Sequence, residues 1–181
     1  YMPEMNPMMI YRLDRFGRGG HHRPFNDLGY AGIRIMEAHE NYTQQHQDIR
    51  TENGIAYGDT FEHVNFGYAK KLTALNVVSL AGMASAPPFP FNVKIKGAVS
   101  ANTILEWTFP ESNVAKNLRG YKVYWRHTSS PEWTNSRYVG LVDNYTLEDV
   151  VIDNYFFGVA SVSNDGYESP VVFPGIMGSF D

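Results

Sequence analysis

Thr103-Ile104-Leu105-Glu106-Trp107-Thr108-Phe109 sets apolar and aromatic side chains against polar ones in near alternation, and Tyr121-Lys122-Val123-Tyr124-Trp125-Arg126 repeats the pattern. A period of two belongs to an extended strand with one face on a core. Outward from these runs, Asn92–Lys96, Tyr138–Leu141, Asp149–Ile152, Tyr155–Val162 and a final Val171-Val172-Phe173 carry the same texture, with Asn, Asp, Gly and Pro between them. About seven short strands at this spacing predict an all-β sandwich over residues 92–181. Trp107 is assigned to the core between the sheets, and Asn164-Asp165-Gly166 to a positive-φ turn.

Upstream, Ala84-Ser85-Ala86-Pro87-Pro88-Phe89-Pro90 places three prolines in four positions, which cannot continue a helix. Residues 87–91 are therefore read as a Pro-rich linker between two domains. Before it, Val64, Tyr68, Leu72, Leu75, Val78 and Leu80 recur at spacings of two to four within Phe61–Met83, the pattern of one long amphipathic helix. Met8–Leu13 and Ala31–Met36 are short apolar runs read as strands, and Pro24-Phe25-Asn26-Asp27-Leu28 between them as a short helix. Strand, helix, strand, helix points to an α/β layer over residues 1–86.

Composition excludes several functions. The net charge of −4, with 15 basic and 19 acidic residues intermixed, offers no basic stripe for nucleic acid or an anionic membrane. No apolar run approaches the roughly 20 residues of a membrane span, and no charged leader with an apolar segment opens the chain. The first residue, Tyr1, is read as lying inside a longer product. With no cysteine present, metal ligands are limited to His, Asp and Glu.

The second half resembles fibronectin type III modules over about 90 residues, through Leu105-Glu106-Trp107, Gly120–Trp125 and Tyr155–Val162 before Asn164–Pro170. That resemblance implies a core role for Trp107 and a loop-tying hydroxyl on Tyr155. Trp133 and Tyr138 are left as exposed aromatics able to hold a carbohydrate or peptide. A sandwich by itself does not name a function.

The most informative stretch is Arg18-Gly19-Gly20-His21-His22-Arg23-Pro24-Phe25, followed by Ile33-Arg34-Ile35-Met36-Glu37-Ala38-His39-Glu40-Asn41-Tyr42 and His46-Gln47-Asp48. Over residues 8 to 86 it resembles the last third of the M28 zinc peptidases, whose α/β/α sheet domain it would close. The resemblance implies His46 as a metal ligand, His22 lining the site without ligating, and Gly19 and Gly20 as a bare backbone wall beside a substrate residue. Asp48 and Glu40 are implied as partners of the ligating imidazole, which commonly gives its other N–H to a carboxylate. At two positions the chain departs from the family pattern: His21 stands where an Asp is common, and Gln45 where an oxyanion-holding Tyr often precedes the ligand. Tyr42, from the same loop, is the expected replacement for that Tyr. His39 is read with His21 as a lesser candidate beside His46, and His63 and His127 as ordinary surface residues.

Two zincs in such an enzyme, about 3.5–4 Å apart, share a hydroxide and need a bridging carboxylate, further ligands and a Glu base. No such set precedes Gly19, so this chain holds at most one weak metal site and is expected to be inactive alone. The expected function is the C-terminal portion of a secreted or periplasmic (bacterial) zinc-dependent aminopeptidase acting on peptides. Its expected partner is the N-terminal part of the catalytic domain or another chain. The alternative is a non-catalytic structural protein that assembles with copies of itself or with another chain, because a truncated sheet leaves an unpaired edge and an apolar face. A carbohydrate-binding module on the sandwich is a third expectation.

Overall fold

The computed structural model describes residues 5–10, 14–30, 32–37, 39–110 and 116–175. The chain forms two compact units, Tyr1–Val78 and Ser79–Asp181. No helix among the described residues is long and apolar enough to cross a membrane.

In the first unit, helix α1 spans Arg23–Asp27, opened by a proline in its first turn. It ends at Gly29, whose φ of +83° only glycine adopts freely. There the Gly29 and Tyr30 amides donate to the Asn26 and Phe25 carbonyls, closing the helix end with the paired bonds of a Schellman turn. Strands β1 (Arg50–Glu52) and β2 (Ile55–Tyr57) form an antiparallel hairpin. Its two-residue loop, Asn53-Gly54, has both φ angles positive, +50° and +77°, as a type I′ turn requires. Helix α2 (Phe66–Ser85) begins at Asn65, whose side-chain oxygen accepts the Tyr68 amide at 3.0 Å as an N-cap.

Two expectations about this half are corrected. Residues 8–10 and 32–36 run without strand structure, while Tyr11–Leu13 and Ala31 lie outside the described residues. The sheet of this unit, among the described residues, is the two-stranded hairpin at 50–57. An apolar run becomes a strand only where a neighbour pairs its backbone, and no described strand lies beside these runs. The long helix forms from Phe66 rather than Phe61, where Phe61–His63 make a separate 3-10 turn, and none of its residues is buried, so its apolar positions cover no core.

The second unit is an antiparallel sandwich. Strands β3 (Phe91–Lys96), β4 (Thr103–Thr108) and β7 (Asn144–Leu147) make one sheet in the order β3-β4-β7. Strands β5 (Leu118–His127), β6 (Asn135–Gly140) and β8 (Tyr155–Ser163) make the other, in the order β6-β5-β8. The alternation places Thr103, Leu105 and Trp107 of β4 inward against Tyr121 and Val123 of β5 and Phe157 and Val159 of β8. Each such apolar side chain contributes roughly 1.5–3 kcal/mol by burial. Trp107 and Tyr121 meet at 5.3 Å between centroids.

The expected strand at Asp149–Ile152 is replaced by β7, a few residues earlier. Asp149 has a φ of +54° and donates its amide to Asn102 Oδ1, which turns the chain out of the sheet. The final run appears as a single bridge, Val172 to Val159. Gly166 carries the turn expected after β8, with φ +85°. Trp133 is not an exposed platform: it packs on Tyr124 and Phe173, with the Arg126 guanidinium 5.3 Å from its ring. Tyr155 lies on the His127 ring at 4.5 Å, whereas the Tyr138 hydroxyl is the one that donates to a backbone carbonyl, that of Arg119, at 3.1 Å. Pro87 and Pro90 are buried, and the Ser161 hydroxyl donates to the Pro88 carbonyl at 2.7 Å, so the proline stretch is packed rather than loose.

Candidate functional site

Three separate stretches of the first unit converge on two carboxylates. Asp14 and Glu40 expose only 3% and 8% of their side chains, and a buried charge persists only when opposite charges and donors surround it. Glu40 accepts from Arg15 Nη1 at 2.7 and 2.8 Å, from Arg18 Nη1 at 3.0 Å, from Gln45 Nε2 at 3.0 Å and from the Tyr42 hydroxyl at 3.1 Å. Those donors, led by Gln45 and Arg15, hold its carboxyl at about 2, against the desolvation that raises it. Asp14 accepts the Arg15 backbone amide at 2.7 Å, which is the chief reason its carboxyl lies below the ordinary range. Its Oδ2 stands 3.7 Å from His22 Nε2, and that imidazole is itself only 8% exposed.

The loop after Glu40 is tightly bound. Asn41 Oδ1 accepts both the Thr43 amide and hydroxyl, the Gln45 amide returns to the Asn41 carbonyl, and the Gly58 amide donates to the Thr43 carbonyl. At the end of this loop His46 stands exposed with a φ of +56°, a left-handed conformation that a non-glycine residue adopts at a cost.

The residues singled out from sequence divide into two groups. His22, Gly20 and Glu40 with Tyr42 belong to the network. A Cβ on Gly20 would come within 2.7 Å of the His22 ring and 3.4 Å of Arg34 Cδ, so the missing side chain makes room for that imidazole. A Cβ on Gly19 would meet nothing within 4 Å, leaving its backbone open. His46 and Asp48 lie outside it. Glu40 supports the loop through Gln45 and Tyr42, and none of its hydrogen bonds among the described residues goes to His46. Tyr42 turns its hydroxyl onto Glu40, and Asp48 offers its backbone carbonyl to Arg50 at 3.3 Å.

Sequence reading passed over Asp14, Arg15, Arg18 and Arg34. The available signal was charge out of place: Arg34 interrupts an otherwise apolar Gly32–Met36, and Asp14 and Arg15 sit just ahead of the glycine turn. Arg34 also forms a wall shared by two open grooves. One, of about 440 Å³, runs past Glu40, Gln45, Asp59 and Tyr68; the other, of about 660 Å³, lies between Gly19–His22 and Ile33–Ile35. Among the described residues no group of three or more His, Asp or Glu is placed to hold a metal ion.

No family model matches the sequence. Curated proteins do match along nearly its whole length. A protein of Phaeosphaeria nodorum named "Probable zinc metalloprotease" is 41% identical over 174 residues, covering 94% of this chain and 34% of that protein. One of Leptosphaeria maculans with the same description is 44% identical over 171 residues, covering 94% of this chain and 39% of its own length. Among solved structures, a titin module from human cardiac muscle aligns with 48% of this chain and 84% of its own at 21% identity and a TM-score of 0.39. A fibronectin type III domain of human collagen α-1(XX) aligns with 49% of this chain and 82% of its own at 19% identity and a TM-score of 0.37. The chain is thus similar, over 94% of its length, to one part of proteins named probable zinc metalloproteases, and it spans roughly a third to two fifths of their length.

Proposed function

We propose that this chain is the C-terminal portion of a secreted zinc-dependent aminopeptidase of the M28 type, with the sandwich as an accessory module of fibronectin type III character. The observation that carries this reading is the 41–44% identity, over 94% of the chain, to proteins named as zinc metalloproteases. The strained, exposed His46 at the end of a loop anchored on Glu40 supports it, since such backbone outliers gather at functional positions.

Zinc does not fit a site made from the described residues alone, because they bring together no three candidate ligands. In this proposal His46 supplies one imidazole and the remaining donors come from polypeptide outside this chain. What the chain itself does is bind and orient. Glu40 fixes the 41–46 loop, Gly19 leaves its backbone open, Gly20 makes room for the His22 ring, and Asp14 faces that ring.

The test is a chimera in which these residues replace the matching part of the Phaeosphaeria nodorum relative. His46→Ala in that chimera is expected to lower bound zinc, read by elemental mass spectrometry, and to lower hydrolysis of an aminoacyl anilide by at least about 100-fold. Unchanged zinc and rate remove His46 from the site. A second reading, a non-catalytic chain that assembles with itself or another protein, draws on the exposure of Phe16, Ile49, Leu28 and Phe61 at 98%, 78%, 76% and 75%. Light scattering separates the two: a stable oligomer of the isolated chain with no peptidase activity in the chimera favours assembly.

A further inference from the structure

Arg34 differs from the other two arginines of the network. Arg15 meets Glu40 at 2.7 Å and Arg18 meets it at 3.0 Å, whereas Arg34 approaches the Gly19 carbonyl at 3.5 Å and Asp14 and Glu40 at 3.8 Å each. A guanidinium presents five N–H donors in a rigid fork, and good hydrogen bonds lie at about 2.7–3.2 Å. The donors of Arg34 are therefore largely uncommitted among the described residues. Among the described residues of this network, three guanidinium groups face two carboxylates, which leaves one positive charge in excess. Both carboxylates are held below their ordinary range, so the excess persists at neutral pH.

That excess opens onto a suitable space. Arg34 is 27% exposed and lines the groove of about 660 Å³, whose other walls are Gly19, Gly20, His21, His22 and the two flanking isoleucines. Neither Asp14 nor Glu40 is among the residues lining this groove. Its cationic head, two imidazoles and bare glycine backbone suit a planar anion attached to a peptide, which a guanidinium grips with two parallel bonds.

We propose that the Gly19–His22 groove binds a peptide carboxylate, with Arg34 as the residue that sets this specificity. The proposal deepens the peptidase reading by naming its substrate class, and it is tested by binding alone so that the two fail separately. The full 181-residue chain, isotope-labelled for nuclear magnetic resonance, is titrated with three peptides: acetyl-Ala-Glu-Ala-amide, acetyl-Ala-Gln-Ala-amide, and Ala-Ala-Ala with its free C-terminus. At least one carboxylate peptide is expected to bind about tenfold or more tightly than the Gln peptide and to move the Arg34 Nε–H resonance. Which of the two does so tells a side-chain acid from a C-terminal one. Arg34→Met is expected to bring the ratio to about one and Arg34→Lys to retain part of it. The ratio compares peptides on the same protein, so any loss of folded material cancels. Absence of binding, equal binding of all three peptides, an unmoved Arg34 signal, or a preference that survives Arg34→Met overturns the proposal.

Discussion

In the second unit Leu105, Tyr121, Val123 and Val159 are wholly buried, and six of the named strands close over them. In the first unit Gly58 is the only described residue buried over its whole surface, and what ties distant stretches together is Glu40 gripping Arg15 and Arg18, with Asp14 facing His22 and Arg34 at longer range. Apolar burial is additive and nondirectional, so a sandwich with such a core stands on its own account. A carboxylate hub fixes orientation well but yields little net stability, because removing charge from water opposes the ionic attraction. The first unit is accordingly well specified around one loop while Phe16, Leu28, Ile33 and Ile49 face outward.

Several changes break or sharpen that contrast. Trp107→Ala, which hollows the sandwich, is expected to cost about 3–5 kcal/mol in denaturant unfolding of the second unit, with the hub of the first unit unaffected. Opposite pH extremes should act on opposite units. Glu40 titrates at about 2 rather than 4.5, so its contribution is full above pH 4.5 and fades as pH falls toward 2, loosening the first unit. Burial pushes the Tyr121 hydroxyl from 10.0 to about 12, so the sandwich is intact below pH 10 and loses stability as pH rises through 12. Near-ultraviolet dichroism and residue-resolved exchange distinguish the two transitions, and a common midpoint at either extreme would contradict the contrast.

Within the first unit, Glu40→Ala is expected to speed amide exchange across residues 41–46 by about tenfold or more while leaving the sandwich amides unchanged. Gly54→Ala places a side chain at φ +77° and should cost the β1–β2 hairpin about 1–2 kcal/mol, read as faster exchange at residues 50–57. Least of all, Lys96→Ala removes an exposed pair with Glu106, 59% and 39% exposed, and should change sandwich stability by less than about 1 kcal/mol.

The period of two identified β3, β4 and β8 nearly at their bounds, because strands packed on a core must alternate, but it found only the middle of β5 and the last three residues of β6. It misplaced the strand near residue 150, where Asp149 takes a left-handed turn that composition does not announce. The Asn53-Gly54 pair is a legible hairpin signal, but its three-residue flanks, the first of them polar throughout, are too short to show a period of two. Conversely Ile33-Arg34-Ile35-Met36 looked like a strand and is not one.

The site was legible only as a region. Gly20, His22, Tyr42 and Glu40 were named from sequence, yet the bonds that join Glu40 to Arg15 and Arg18 cross 25 and 22 residues of chain. The amino-acid sequence by itself determined the β-sandwich, the proline-marked change of texture and the two helices, because these follow from local periodicity and backbone chemistry. Which carboxylate gathers which arginine, and which arginine is held only at 3.5–3.8 Å among the described residues, was decided only by the tertiary structure. Partner choice among like charges depends on distance and burial, and neither is encoded in the spacing of residues along the chain.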